Sequence, residues 1–271
     1  MSFTHVLLTR FNLATPGRES DLRNRSGWLG RRFELFERYC LPSVAAQTNR
    51  NFTWIVYFDK DTPGEFKIRI EDLRHKGPFI PYFTGLFPGD GWPRSVREVL
   101  GERAADWLVS TRLDNDDALG LDYVDRLHDA IEDDGGPGAR AYNFTNGFVM
   151  TLDRLYAHTH RSNAFFSLIE PWDAGMGTAF AIPHMALEDS NTVRQIDGPG
   201  AWLQIVHGEN VSNKVRGRRV APAAAAGRFA PGALDALPVP SALGIGTENL
   251  ILTPLRTARD WLAAQRHARR P

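Results

Sequence analysis

Cysteine is almost missing from this chain: Cys40 stands alone among 271 residues. That excludes a disulfide framework within the chain and a cysteine-only zinc site. A lone thiol in a helical pattern is expected to be a small core residue, and this cysteine usage suits a reducing cytoplasm. Net charge is missing as well. Thirty-two basic side chains balance thirty-two acidic ones, which argues against a general binder of nucleic acid or acidic polymers. No apolar run approaches the ~18 residues of a membrane span. The N-terminus enters a strand-like segment directly and lacks the charged and apolar regions of a signal peptide. The expected location is cytoplasmic, with no transmembrane segment. Internal repeats are absent too.

What is present is ordinary globular material, 42% apolar and 24% charged, in a length sufficient to bury a sizeable core. The charge is unevenly spread. Asp114 to Asp134 holds nine acids and one base, whereas Lys214 to the end holds ten bases and three acids. Buried-strand runs recur at His5–Phe11, Trp54–Phe58 and Phe79–Phe83, with Pro81 favouring a sheet edge for the third. Helical patterns lie between them. Leu29, Phe33, Phe36 and Cys40 share one helix face, and Pro42 is expected to break that helix. This alternation over the first ~130 residues predicts a mostly parallel sheet with helices on both faces. Strand-like runs then continue at 141–150, 165–169, 178–182 and 202–207 with irregular links, and a short helical signal covers 185–191. A polar stretch from Ala14 to Ser26 is expected to be a flexible cover over the site, and Gly85 to Pro93 a loop.

The sequence is organised around Ser110-Thr-Arg-Leu-Asp114-Asn-Asp116-Asp117. The apolar run Trp107–Val109 leads in, and a helical pattern follows. Three carboxylates therefore sit where a buried strand ends, the edge at which open α/β sheets bind ligands. Crowded carboxylates repel one another unless something positive lies between them. A hard divalent cation gripping a diphosphate is one candidate; an Asp-rich turn and helix cap is the other. Arg10 and Asp59 end two further predicted parallel strands and so converge on the same edge. Arg112 faces the same side as Asp114. It either grips phosphate, as a two-pronged guanidinium does, or pairs with its acidic neighbours.

The segments Thr9–Asn12, Trp28-Leu29 with Arg32–Phe36, Cys40–Val44 with Gln47-Thr48, Trp54–Asp59, Thr111–Asp117, Trp202–Gln204, His207-Gly208 and Asn210–Asn213 occur in an order that resembles a bacterial rhamnosyltransferase family. These are nucleotide-sugar-dependent glycosyltransferases of the GT-A fold. The resembling segments run from about residue 5 to 213.

The resemblance implies an α/β GT-A (Rossmann-like) fold: a mostly parallel central sheet flanked by helices, with an irregular acceptor-side half. It matches Asp114 and Asp116 to the Asp-x-Asp motif, in which the second Asp ligates Mn²⁺ or Mg²⁺ and the first contacts ribose or a metal-bound water. By the same resemblance Asp59 lies where the nucleobase is held, and Arg10 lines the nucleotide pocket. His207 falls where a C-terminal histidine joins the metal; otherwise it is a buried histidine bonded to backbone. The implied partners are a nucleoside-diphosphate sugar donor and a glycan or lipid-linked glycan acceptor, with no nucleic acid.

An inverting transfer needs a carboxylate base. Among Glu170, Asp173, Glu188 and Asp189, the candidates are Asp189, in a Glu-Asp pair, and Glu170, ending a strand-like run. A phosphatase built on Asp-x-Asp is disfavoured, because its pair follows the first strand. A non-catalytic nucleotide-sugar or glycan binder on the same scaffold is the alternative. The expected organisation is a transferase domain over 1–215, a Pro/Ala/Gly-rich linker or wrapping arm over 216–246, and a basic helix over 247–271. That helix packs on protein or associates weakly with an anionic membrane surface.

Overall fold

The computed structural model describes residues 2–13, 25–85, 91–101, 105–173, 175–190, 192–208 and 214–255, without the side chains of residues 189 and 190. Strands β1 (Phe3–Arg10), β2 (Thr53–Asp59), β3 (Phe79–Thr84) and β4 (Trp107–Asp114) form the parallel half of a seven-stranded sheet. In β1, β2 and β4 consecutive side chains are buried, as strands covered on both faces require. β3 is the edge strand. There the N–H that Pro81 lacks is not needed by the ladder.

Helix α1 (Trp28–Leu35) follows β1 and buries Phe33. The expected break at Pro42 does not occur. The chain widens into a π-turn over Phe36–Cys40, closed by the Leu41 N–H on the Phe36 carbonyl, and continues as α2 (Leu41–Ala45) with Pro42 in its first turn. The wider turn accommodates a ring that would otherwise strike the preceding turn. Cys40 is fully buried there. Helices α3 (Gly64–Arg74), α4 (Gly91–Leu100) and α5 (Tyr123–Asp133) follow β2, β3 and the Asp cluster. α4 thus begins inside the expected 85–93 loop; residues 86–90, and 14–24 of the expected cover, lie outside the described residues.

Beyond β5 (Ala118–Leu119) the chain alternates between two sheets. The predicted 141–150 strand is two strands, β6 (Arg140–Phe144) and β7 (Asn146–Met150), parted at Thr145. β8 (Leu155–Thr159) pairs antiparallel with β7, and β9 (Ser167–Pro171) inserts antiparallel between β4 and β6. No strand forms at 178–182. The short helix α6 (Leu187–Ser190) and strand β10 (Val193–Ile196) follow. β11 (Trp202–Ile205) and β12 (Arg218–Val220) complete the five-stranded sheet, ordered β12-β8-β7-β11-β5. The large sheet runs β10-β6-β9-β4-β1-β2-β3. The fold is α/β with a mostly parallel central sheet flanked by helices.

After β12, Ala225, Phe229 and Ala233 bury against Phe148, Leu203 and Ile205. Helix α7 (Ala242–Thr247) passes into a π-turn over Glu248–Leu252. Buried Glu248 there accepts bonds from Arg154, Arg219 and Tyr156 at 3.0, 3.0 and 2.9 Å. Residues 256–271 of the expected basic helix lie outside the described residues. Among the described residues, no helix is long and apolar enough to cross a membrane.

Two expectations follow for stability. Trp202 stacks on Phe165 at 5.2 Å, and a Cβ at Gly147 would meet its ring at 2.0 Å. Gly147→Ala should cost about 1–3 kcal/mol by overpacking, measured by urea unfolding. Separately, His5 Nδ1 and His128 Nε2 lie 3.0 Å apart in the core. Burial, then the charge of His128, holds His5 well below its usual pKa; burial also lowers His128. Below pH about 6.5 the unfolded chain binds more protons than the native one. This contribution is therefore complete above that pH and lost as pH falls below it. Urea titrations between pH 7.5 and 5 should show the loss, reduced in His128→Gln.

Candidate functional site

The ends of β1 and β4 lie side by side, with Arg10 in register with Asp114. The sheet thus brings Arg10, Asp114 and, one strand further, Asp59 to one edge. Past β4, each residue of Asn115-Asp116-Asp117 is tied to a different element. Asn115 Nδ2 donates to the Phe11 carbonyl at 2.6 Å. Asp116 Oδ2 accepts from Arg32 Nη1 on α1 at 2.6 Å and from His207 Nε2 at 2.9 Å. Asp117 Oδ1 accepts the Ile205 N–H of β11 at 2.8 Å.

These ties divide the cluster electrostatically. Burial pushes Asp116 up, but the His207 hydrogen bond and the Arg32 charge outweigh it, so its pKa lies below the usual value. Asp117 is pushed well above by burial and then by the charges of Asp116 and Asp114. Asp114 is more open, its side chain 31% exposed, with Arg112 Nη2 at 3.4 Å. Arg112 also lies over the Phe180 ring, 5.3 Å from its centroid. Arg112 therefore pairs with its acidic neighbour while lining the same edge.

Asp59 is buried in a turn. Its Oδ1 accepts the Asp61 N–H at 2.8 Å, and its own N–H donates to Asn12 Oδ1 at 3.0 Å. That turn borders a cavity of about 290 Å³ lined by Asn12, Arg25, Trp28, Asp61, Thr62 and Phe66. A second cavity, about 330 Å³, opens beside His207 between Arg31, Arg38, Tyr39, Leu152 and Val206. α1 and its π-turn extension run from one cavity to the other, with Arg32 between.

Glu170 is not brought to this edge. It pairs with Leu108, six residues back along β4 from Asp114, which is on the order of 20 Å. Its oxygens accept the N–H groups of Gly177 and Thr178 at 2.9 and 2.8 Å. They hold Thr178 at φ 68°, an unusual conformation for a β-branched residue. Glu170 therefore fixes a loop rather than serving as a base near the Asp cluster. Asp189 lies in α6, and its side chain is outside the described ones, as are Asn210 to Asn213.

Carboxylates with one imidazole are donors that suit Mn²⁺ or Mg²⁺. Asp116 and His207 already converge, with Asp114 two residues earlier on the edge. Asp116 Oδ2 is, however, already held by both Arg32 Nη1 and His207 Nε2. Among the described residues, no group of three or more His, Cys, Asp and Glu side chains is arranged as a metal cage. Sequence reasoning placed Arg32 in a resembling segment but gave it no role; its partner lies 84 residues away.

The Asp117 bond gives a direct test. Asp117→Ala removes the acceptor that Asp117 Oδ1 offers to the Ile205 N–H and should cost about 1–3 kcal/mol. Asp117→Asn keeps an acceptor and removes the repelled charge, so at pH 7 it should unfold in urea at or above the wild-type midpoint.

The family described as "Putative rhamnosyl transferase" matches residues 4–219. No curated protein matches the chain. Among solved structures, S. aureus TarS 1-349 in complex with UDP is similar at 13% identity and a TM-score of 0.44, covering 76% of this chain and 61% of that one. A "putative nucleotide-diphospho-sugar transferase" from Desulfovibrio desulfuricans G20 is similar at 10% identity and a TM-score of 0.38, covering 74% and 80%. The chain spans about three fifths of that TarS fragment and 37% of the longer TarS chain. With four-fifths of its length matched by the family, the chain belongs to the putative rhamnosyl transferases.

Proposed function

We propose that this chain is a glycosyltransferase. It moves a sugar, rhamnose by the family's label, from a nucleoside diphosphate to a hydroxyl of a glycan or lipid-linked glycan, in the cytoplasm. Weak peripheral contact with a membrane is part of the proposal. The observation that carries it is the convergence of Arg10, Asp114, Asp116 and His207 on one sheet edge, with Arg32 reaching in from α1.

The cavity beside Asn12 and Thr62 takes the nucleoside, with the Asp59 turn as its wall. Arg10 and Arg112 face the diphosphate and stabilise its growing charge as the sugar's C1–O bond breaks. The electron pair of that bond leaves with the diphosphate. The acceptor oxygen bonds to C1, and in an inverting transfer its proton passes to a carboxylate, for which Asp189 is the candidate. Asp114, Asp116 and His207 would hold Mn²⁺ or Mg²⁺. When bound, that ion neutralises the leaving diphosphate.

Calorimetry with UDP, dTDP, GDP and CMP, each with and without Mn²⁺, tests this reading. One nucleoside diphosphate should bind in a metal-dependent way, and Asp116→Ala should weaken it by about tenfold or more. If the folded protein binds none of the four, the reading fails. Binding without turnover of any sugar nucleotide would leave a nucleotide-sugar binder on this scaffold.

A further inference from the structure

We propose that α7 and the π-turn after it form a docking face for an anionic lipid membrane. The proposal rests on the membrane contact above, names its surface, and is independent of the donor chemistry. A helix on the surface of a globular protein buries its apolar side chains and shows charged ones. Here the order is reversed. The attachment to the protein is polar: buried Glu248 takes bonds from Arg154, Arg219 and Tyr156. Asn249 accepts the Arg219 N–H at 2.8 Å and donates to the Arg219 carbonyl at 3.0 Å. The outward side is apolar. Leu243 and Leu250 are 81% and 79% exposed, and Val239, Ile251, Leu252 and Leu255 are exposed as well. From residue 236 to 255 the only charged side chain is Glu248, which faces inward. Apolar exposure concentrated in this way marks a surface that meets a second apolar phase.

The charge beside it selects that phase. Residues 256–271 hold five arginines and one acid. Arg218 is exposed on β12, the strand that anchors the helix. Apolar anchors with basic neighbours suit an anionic bilayer: the apolar side chains enter the acyl boundary while guanidinium groups meet lipid phosphates. A second copy of this chain is a poorer match. Its own face brings the same arginines, with Glu248 and Asp260 as the only acids from residue 236 on. The placement also serves the proposed transfer. Arg154, which holds Glu248, lies two residues after Leu152, and Leu152 lines the cavity beside His207. Docking through α7 therefore brings that cavity toward the surface at which a lipid-linked acceptor presents its hydroxyl.

Co-sedimentation of the full chain with phosphatidylcholine vesicles, with and without phosphatidylglycerol, tests the proposal. The protein should bind the anionic vesicles about tenfold or more tightly than the neutral ones, and added salt should weaken that binding. Leu243→Ser combined with Leu250→Ser should weaken it about tenfold or more. Ile68→Ser, at an exposed position on α3, should leave it unchanged. Absence of binding, or equal binding to both vesicles, overturns this proposal and the membrane contact above. A double variant that binds like wild type overturns the proposal alone. So does a wild-type dimer in sedimentation velocity that the double variant abolishes, since the face then belongs to a second copy. Should the double variant fail to fold, a label decides. Cys40 is fully buried, so Leu250→Cys can be labelled selectively with a polarity-sensitive fluorophore. Its emission must shift to the blue with anionic vesicles, and an unchanged emission overturns the proposal. All of these results are read without nucleotide, so the donor calorimetry stands or fails separately.

Discussion

The structure depends on three carboxylates placed within four residues at the open end of a buried strand. Water does not solvate them fully: Asp116 and Asp117 are 5% and 1% exposed. Charges removed from water must be paired or neutralised. The chain uses both routes in adjacent residues. Asp116 is paired, with Arg32 and His207 on one oxygen. Asp117 is held toward its neutral form by burial and by its acidic neighbours, while its Oδ1 secures a backbone N–H of β11. Asp114 stays near solvent and faces Arg10 across the ladder. Three residues of one type thus take three electrostatic roles.

That solution requires α1 to run past the end of the sheet in one continuous rod. Phe33, Phe36 and Cys40 bury their side chains in the core shared with Phe11, Trp54 and Phe58. The π-turn lets the rod continue beyond Pro42 instead of ending there. With Phe33 locked inward, its neighbour Arg32 falls on the flank facing the loop after β4, and Trp28, one helical turn earlier, lies beneath its guanidinium. The aromatic core thereby sets the position of the counter-ion. Loss of packing on α1 would be felt at Asp116 before it was felt in the sheet.

Much of this was legible in the sequence for a simple reason. Strands buried on both faces are continuous apolar runs, and parallel strands finish at the same edge, so Arg10, Asp59 and Asp114 could be placed together without coordinates. Other features are invisible along the chain. The Arg32–Asp116 bond joins residues whose pairing no local period encodes. Glu170 ends a strand-like run, yet β9 enters the sheet antiparallel, and this reverses which end of the sheet its last residues reach. Residues 141–150 look like one strand because Thr145 alone marks the transfer from the large sheet to the small one. Direction and sheet membership are tertiary properties, and apolar periodicity carries neither.

The small sheet explains how His207 meets Asp116 from 91 residues away. β5 continues directly from the Asp cluster, and β11 leads directly into His207. The two pair antiparallel, Leu119 with Trp202 and Ala118 with Leu203. Asp117 adds a side-chain bond to Ile205 just beyond that ladder. The carboxylate and the imidazole are therefore two ends of one short hairpin-like register, fixed by backbone bonds rather than by their own attraction. The arm after β12, all of which lies beyond the family-matched residues, presses Phe229 onto Phe148 and ties Arg228 to Asp122 at 2.6 Å. Its contribution is to keep β7 and β11 in place, so the geometry of the charged edge rests on an apolar cluster that also takes in Tyr39.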